Sequence, residues 1–236
     1  MTRTPLWREI EMHLRNNIAD GHYRPGDKLP TEAALSARFG VNRHTVRRAL
    51  ASMQEAGLTH SRRGSGVYVT AKPTEYRVGR RTRFSQNLAA LGHTAQKQVL
   101  RLETRFAEER EAEMLELAPE SQVHVFEGIG LSDNTPLSLF VSVLPAARLP
   151  GLPQGLETTR SVTQALLGEG VSDYTRAWTR ITAESANATQ ALHLQCREGA
   201  PLVATHSLNR APEGWPVEFG QTWFVGERIQ LVIEAE

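Results

Sequence analysis

Residues 41–50, VNRHTVRRAL, set three arginines, a histidine and a threonine on a stretch that keeps the apolar rhythm of a packed helix. Asn42 reads as its N-cap, Val41 and Val46 as the two members of a hydrophobic staple, and Gly57 as its stop. At about 100° per residue, Val46, Ala49, Leu50 and Met53 share one stripe, which leaves His44 and Arg48 on the far side with Thr45 and Arg47 flanking them. The cations then face outward. Between Arg38 and Glu55 the sequence holds no acid to pair with them. Arginine can bridge guanine O6 and N7 in a major groove, and threonine or backbone N–H groups at a helix start can hold phosphate.

The flanking segments give this helix a setting. Upstream, HYRPGDKLPTEAAL (residues 22–35) contains a Pro-Gly turn and then Thr31 as the cap of a short helix that Gly40 closes. Before it, Thr4 as N-cap and Pro5 at the first helical position precede Leu6, Ile10, Leu14 and Ile18 at i, i+4 spacing, up to Gly21. Downstream, LTHSRRGSGVYVT (residues 58–70) reads as a hairpin whose glycines permit a turn with positive φ. Residues 1–70 thus spell α-α-α-β-β, a winged helix-turn-helix, with the second helix of the pair as the recognition helix.

Composition agrees with a two-part molecule. The chain has 236 residues, 40% hydrophobic and 22% charged, enough for two cores. Its net charge of +1 is unevenly spread: residues 1–72 carry twelve Lys/Arg against six Asp/Glu, and the remainder fifteen against twenty. The first part is suited to a polyanion and the second to something else. No apolar run reaches the roughly 18 residues of a membrane span, and no signal peptide is visible, so a cytoplasmic location and no membrane partner are expected. The single cysteine, Cys196, can form no internal disulfide and reads as packing. His93, His124, His193 and His206 are scattered without metal spacing, and no catalytic constellation stands out in 83–236. The expectation is a non-enzyme with no metal and no cofactor.

From Lys72 to about Thr82, KPTEYRVGRRT lacks clear periodicity and contains Pro73 and Gly79, as a linker would, although part of it could be an extended strand. Beyond it, RFSQNLAALG reads as a short helix and KQVLRLET as a strand. AEEREAEMLELA is a charged helix, and VHVFEGIGLSDNTPLSLFVSVLP forms two strands around an Asp-Asn turn. SVTQALLGEG is a helix, YTRAWTRITAES a strand, and Asn187 caps a helix through Leu194. Strands follow near 201–209, 216–224 and 229–234. Strands outnumber helices and are joined mostly by short turns, so the fold class is α+β with a largely antiparallel sheet.

The stretch PGDKLPTEAALSARFGVNRHTVRRALASMQEAGLTHSRRGSGVYV resembles the DNA-binding domain of the GntR family of bacterial transcription regulators over its whole length. The remainder resembles the UTRA ligand-binding domain of that family's HutC branch, a fold related to chorismate lyase. RFSQNLAALG with VNRHTVRRAL is most similar to the PhnF-type repressors of phosphonate utilisation; RFSQNL, TRITA and PVEF carry the C-terminal likeness.

The resemblance implies a homodimeric repressor on a pseudo-palindromic operator in double-stranded DNA, released or recruited by a small-molecule effector: a phosphonate, phosphate or small organic acid. It implies domains at 1–70 and 83–236 around the 71–82 linker. DNA contacts are expected from Thr31, Arg43, His44, Thr45, Arg47 and Arg48, and from Arg62, Arg63, Gly64, Ser65 and Gly66 of the wing. Effector contacts are expected from Arg83, Phe84, Ser85, Gln86 and Asn87 at a helix start, and from Tyr174, Trp178, Arg180 and Glu218. Ala33 departs from relatives that carry arginine there. Gly128 and Gly130 stand where some sugar-phosphate-responsive relatives have arginines, and Val225 is near a position often basic, so the likeness by itself does not imply a phosphate-bearing ligand.

Overall fold

The structure, a computed structural model, describes residues 5–62, 64–70 and 73–234, with Arg62 through its backbone alone. The chain divides into the units Met1–Lys72 and Pro73–Glu236. In the first, α1 (Leu6–Ala19), α2 (Glu32–Phe39) and α3 (Arg43–Glu55) precede a hairpin of β1 (Thr59–Arg62) and β2 (Gly66–Val69). Pro5, with φ −58° and ψ 135°, occupies the N-cap of α1 one position before the helix; Thr4, expected to cap it, lies outside the described residues.

Side-chain caps fix the turn between α2 and α3. Thr31 Oγ1 accepts from Ala34 N at 3.2 Å, and Asn42 Oδ1 accepts from Thr45 N at 2.9 Å. Gly40 ends α2 in the left-handed region at φ 64°, where a side chain would be strained. Val46, Ala49, Leu50 and Met53 are all buried, with Ile10 and Leu14 of α1 and Leu35 of α2. Each buried aliphatic chain contributes about 1.5–3 kcal/mol, so the apolar stripe determines which face of α3 remains outside. Leu29 N donates to Val67 O and Val69 N to Asp27 O, laying residues 27–29 beside β2.

The second unit comprises β3 (Thr74–Arg77), α4 (Phe84–Ala90), β4 (Ala95–Phe106), α5 (Glu109–Met114), β5 (Gln122–Ser132), β6 (Thr135–Pro145), α6 (Leu152–Thr159), α7 (Val162–Gly168), β7 (Thr175–Ser185), α8 (Ala188–Leu194), β8 (Pro201–Arg210), β9 (Pro216–Val225) and β10 (Ile229–Val232). Six strands pair antiparallel in the order β4-β5-β6-β9-β8-β7. Asp133 and Asn134, at φ 47° and 66°, make the two-residue turn expected between β5 and β6. One sheet face packs Phe126, Phe140 and Tyr174 against Leu152 and Leu156 of α6 and Leu166 of α7. The opposite face covers itself with Leu115 beside α5 and Leu194 of α8.

The structure resolves one point that the sequence leaves open and adds one element that it does not announce. The 71–82 segment is not free chain throughout, because Thr74–Arg77 form β3, paired in parallel with β10. Tyr76 anchors it, buried against Phe224 with ring centroids 5.2 Å apart. Pro73 and Gly79 give this segment a linker's composition while one aromatic holds it in the fold. Helix α6, also unforeseen, contains a glycine at 155 because Ala165 of α7 comes so close that a Cβ there would stand 3.1 Å from its Cα.

Candidate functional site

Opposite the buried stripe of α3, Arg43, His44 and Arg47 are exposed. Thr45 Oγ1 lies 3.0 Å from Asn42 Oδ1, so this hydroxyl supports the cap and keeps its lone-pair side open. Arg47 does have an acidic partner, from α2: its guanidinium donates to both oxygens of Glu32 at 3.1 and 2.8 Å. The neighbouring guanidinium lowers the Glu32 pKa, mainly through this hydrogen bond. With 63% of the Arg47 side chain exposed, the pair orients the fork without burying it. Arg48 is exposed as well, but it leans on the neighbouring helix. Its guanidinium lies 4.6 Å from the Trp7 ring of α1, a ring that Arg8 also faces at 5.2 Å.

In the wing, Gly64 and Gly66 have φ of 74° and 120°, and the Ser65 and Tyr68 hydroxyls are 2.6 Å apart. Arg62 closes β1; Arg63 lies outside the described residues. Lys28, which sequence reasoning passed over, bridges to Tyr68, and its side chain lies over Gly66 so closely that a Cβ there would be 2.8 Å from Cε. The wing base therefore carries a cation from the segment before α2. Thr31 serves as a helix cap, and Ala33 is exposed with no cation in its place.

In the second unit, a cavity of about 200 Å³ opens between the sheet, α4 and the start of α7. Of the residues that the family likeness assigns to effector binding, Arg83, Phe84, Ser85, Gln86, Tyr174 and Glu218 line it. Arg83 is 8% exposed; it donates to Tyr174 O at 2.7 Å, lies 3.3 Å from the Tyr174 ring centroid and 3.5 Å from Asp173. Burial pushes the Tyr174 phenol up to about 12, keeping it protonated, with its oxygen 2.8 Å from Thr163 Oγ1. Glu218 accepts from Ser142 at 2.6 Å and from Asn209 at 2.6 Å. Asn209 in turn accepts from Arg176 Nε at 2.8 Å.

Three expected effector residues fall elsewhere. The Asn87 amide is spent on the backbone of Arg77 and Arg83. Trp178 and Arg180 lie behind the sheet because β7 carries a bulge: Arg176 pairs with Asn209, but Trp178 pairs with Leu208. The extra residue reverses the in-out alternation. Trp178 therefore packs against Phe219, with Arg180 over it at 4.8 Å. Val225 is buried on that same far side.

Sequence reasoning also missed Lys97, Ser138, Phe140, Ser142, Arg176 and Asn209 in the lining. Lys97 had a signal, being one of three lysines in a chain with 24 arginines. Gly128 and Gly130 lie beneath this wall. A Cβ on Gly128 would meet Gln98 O at 2.5 Å and Phe140 Cζ at 2.9 Å, and one on Gly130 would meet Phe84 Cζ at 2.8 Å.

Comparison with known proteins gives this arrangement relatives. The profile described as "Bacterial regulatory proteins, gntR family" matches residues 6–69, and that of the UTRA domain matches residues 90–230. The chain is 36% identical to the uncharacterised HTH-type transcriptional regulator RB1450 of Rhizobium meliloti, over 97% of its own length and 94% of that protein. It is 30% identical to the "Probable transcriptional regulator PhnF" of Escherichia coli, over 97% and 94%. The fold is similar to the crystal structure of PhnF from Mycobacterium smegmatis, with a TM-score of 0.69 and 22% identity, covering 96% of this chain and 99% of that one.

Proposed function

Because the chain belongs to the GntR family of bacterial regulatory proteins and joins that family's DNA-binding unit to a UTRA domain, we propose that it is a homodimeric repressor whose hold on a pseudo-palindromic operator is set by a small molecule in the cavity. The observation that carries this reading is α3, whose buried stripe leaves Arg43, His44 and Arg47 exposed on a helix that follows a capped tight turn. Arg43 and Arg47 read bases from the major groove, Thr31 and Thr45 hold phosphates, and the Arg62–Gly66 wing, with Lys28 at its base, enters the minor groove. Arg48, stacked on Trp7, supports the helix and reaches the backbone at most.

The effector is a phosphonate, a phosphate or a small organic acid. The lining supports this, with Arg83, Lys97 and Arg176 against one carboxylate, Glu218. The protein works in the cytoplasm, where its operator is. The ligand acts through different affinities for the DNA-bound and free arrangements. The test is selection of an operator from random duplexes, followed by gel-shift release assays against phosphonates, phosphate and small acids. Binding without sequence preference would overturn the DNA reading, and a selected operator unaffected by the whole panel would overturn the effector reading.

A further inference from the structure

We propose that the cavity recognises its effector by docking a negatively charged oxygen group on the ammonium of Lys97 while Glu218 accepts a hydrogen bond from a hydroxyl or amine of the same molecule. This rests on the cavity being the effector site, and it narrows the ligand to a small hydroxylated or amino oxyanion. Lys97 belongs to β4, and its register partner Gly130 contributes no side chain to the space beside it. Its Nζ lies 5.0 Å from the Phe140 ring centroid and 5.7 Å from that of Phe126. Gly128 makes room for the Phe140 ring to lie against the sheet, so the ammonium has an aromatic floor. Rings favour a cation but cannot neutralise it.

The other cations of the cavity are already engaged. Arg83 is held by Tyr174 O and Asp173, and Arg176 by Asn209 and Thr179. Among the described residues, Lys97 makes no ion pair within 4.0 Å and no hydrogen bond. Burial lowers its pKa, and the Glu218 charge only partly offsets this. A bound anion removes that penalty. Each Glu218 oxygen accepts one side-chain hydrogen bond and has a second lone-pair site, which suits a ligand donor. The volume of about 200 Å³ is below that of drug-sized pockets, matching a ligand with few carbons.

The test uses the full chain and four probes: inorganic phosphate, glycerol 3-phosphate, glycolate, and glycerol as the neutral control, titrated by calorimetry. Glycerol 3-phosphate should bind and glycerol should not. Lys97→Met should weaken the anions by about tenfold or more, and Lys97→Arg should retain part of the affinity. Glu218→Gln should weaken glycerol 3-phosphate more than inorganic phosphate. A direct readout on the unsubstituted protein is amine acylation mapped by mass spectrometry, in which glycerol 3-phosphate should protect Lys97 and leave Lys28 reactive. This readout decides the matter even if Lys97→Met fails to fold. If no anion binds the unsubstituted chain at millimolar concentration, the effector reading of the cavity fails and the proposal with it. If anions bind, Phe140→Trp abolishes binding by filling the space, and Lys97 is neither protected nor required, the cavity reading stands and the Lys97 assignment is overturned.

Discussion

At the scale of single residues, the Arg47–Glu32 pair shows how an ion pair can prepare a guanidinium without consuming it. A carboxylate on α2 holds the fork in one orientation, and the fork's other edge remains open to a base. Arg47→Ala should therefore cost about 1–3 kcal/mol on the selected operator at fixed salt, read by fluorescence anisotropy; unchanged affinity would remove Arg47 from base recognition. His124 makes a separate prediction about stability. Burial holds its imidazole below the ordinary range, against an opposing hydrogen bond to Leu149 O at 3.0 Å. The unfolded chain takes up that proton near pH 6.5 while the folded one resists, so stability is fully present above this pH and declines below it. Between about pH 7.5 and 5.5 the melting temperature of the protein should fall, and His124→Gln should flatten that slope.

Elements whose specification is local were legible in the sequence. Thr31, Gly40, Asn42 and Gly57 bracket α2 and α3 in the chain itself, and the Asp133-Asn134 turn sets the β5–β6 hairpin. What escaped depends on distant partners. The bulge in β7 is defined by its pairing with β8, so the family likeness that assigned Trp178 and Arg180 to the effector site gave no sign that they face the other side of the sheet. Strand β3, which the local sequence leaves open, exists because β10, about 155 residues later, lies beside it. The partner of Arg47 is invisible in the neighbouring sequence because Glu32 comes from the preceding helix. Strand β5 offers a check on the cavity wall: Gly128→Ala would push a methyl into a backbone carbonyl 2.5 Å away as well as into Phe140. It should cost about 1–3 kcal/mol in urea unfolding and weaken effector binding. A fully stable Gly128→Ala protein would show that the wall can yield.

For the whole molecule, the charge division falls at the same place as the structural one. The unit through Lys72 carries an excess of six positive charges, and the unit from Pro73 an excess of five negative ones. The proposed nucleic-acid surface thus belongs to the basic unit, and the negative excess of the other unit repels a polyanion. If two copies read two half-sites, inserting about 5 base pairs between those half-sites turns one to the opposite side of the duplex and should abolish tight binding, whereas about 10 should largely restore it. Equal affinity for all three spacings would mean that each copy binds alone.

Val69 ends the wing and Thr74 begins β3, so only four residues separate an element of the DNA-reading unit from a strand zipped to the end of the chain. Tyr76, in the middle of that strand, is itself part of the cavity lining. The tether is therefore moored at its far end to the wall that a ligand would press upon. Should the proposed effector occupy that cavity, whatever it does to Tyr76 it does to the very strand by which the chain enters the second unit.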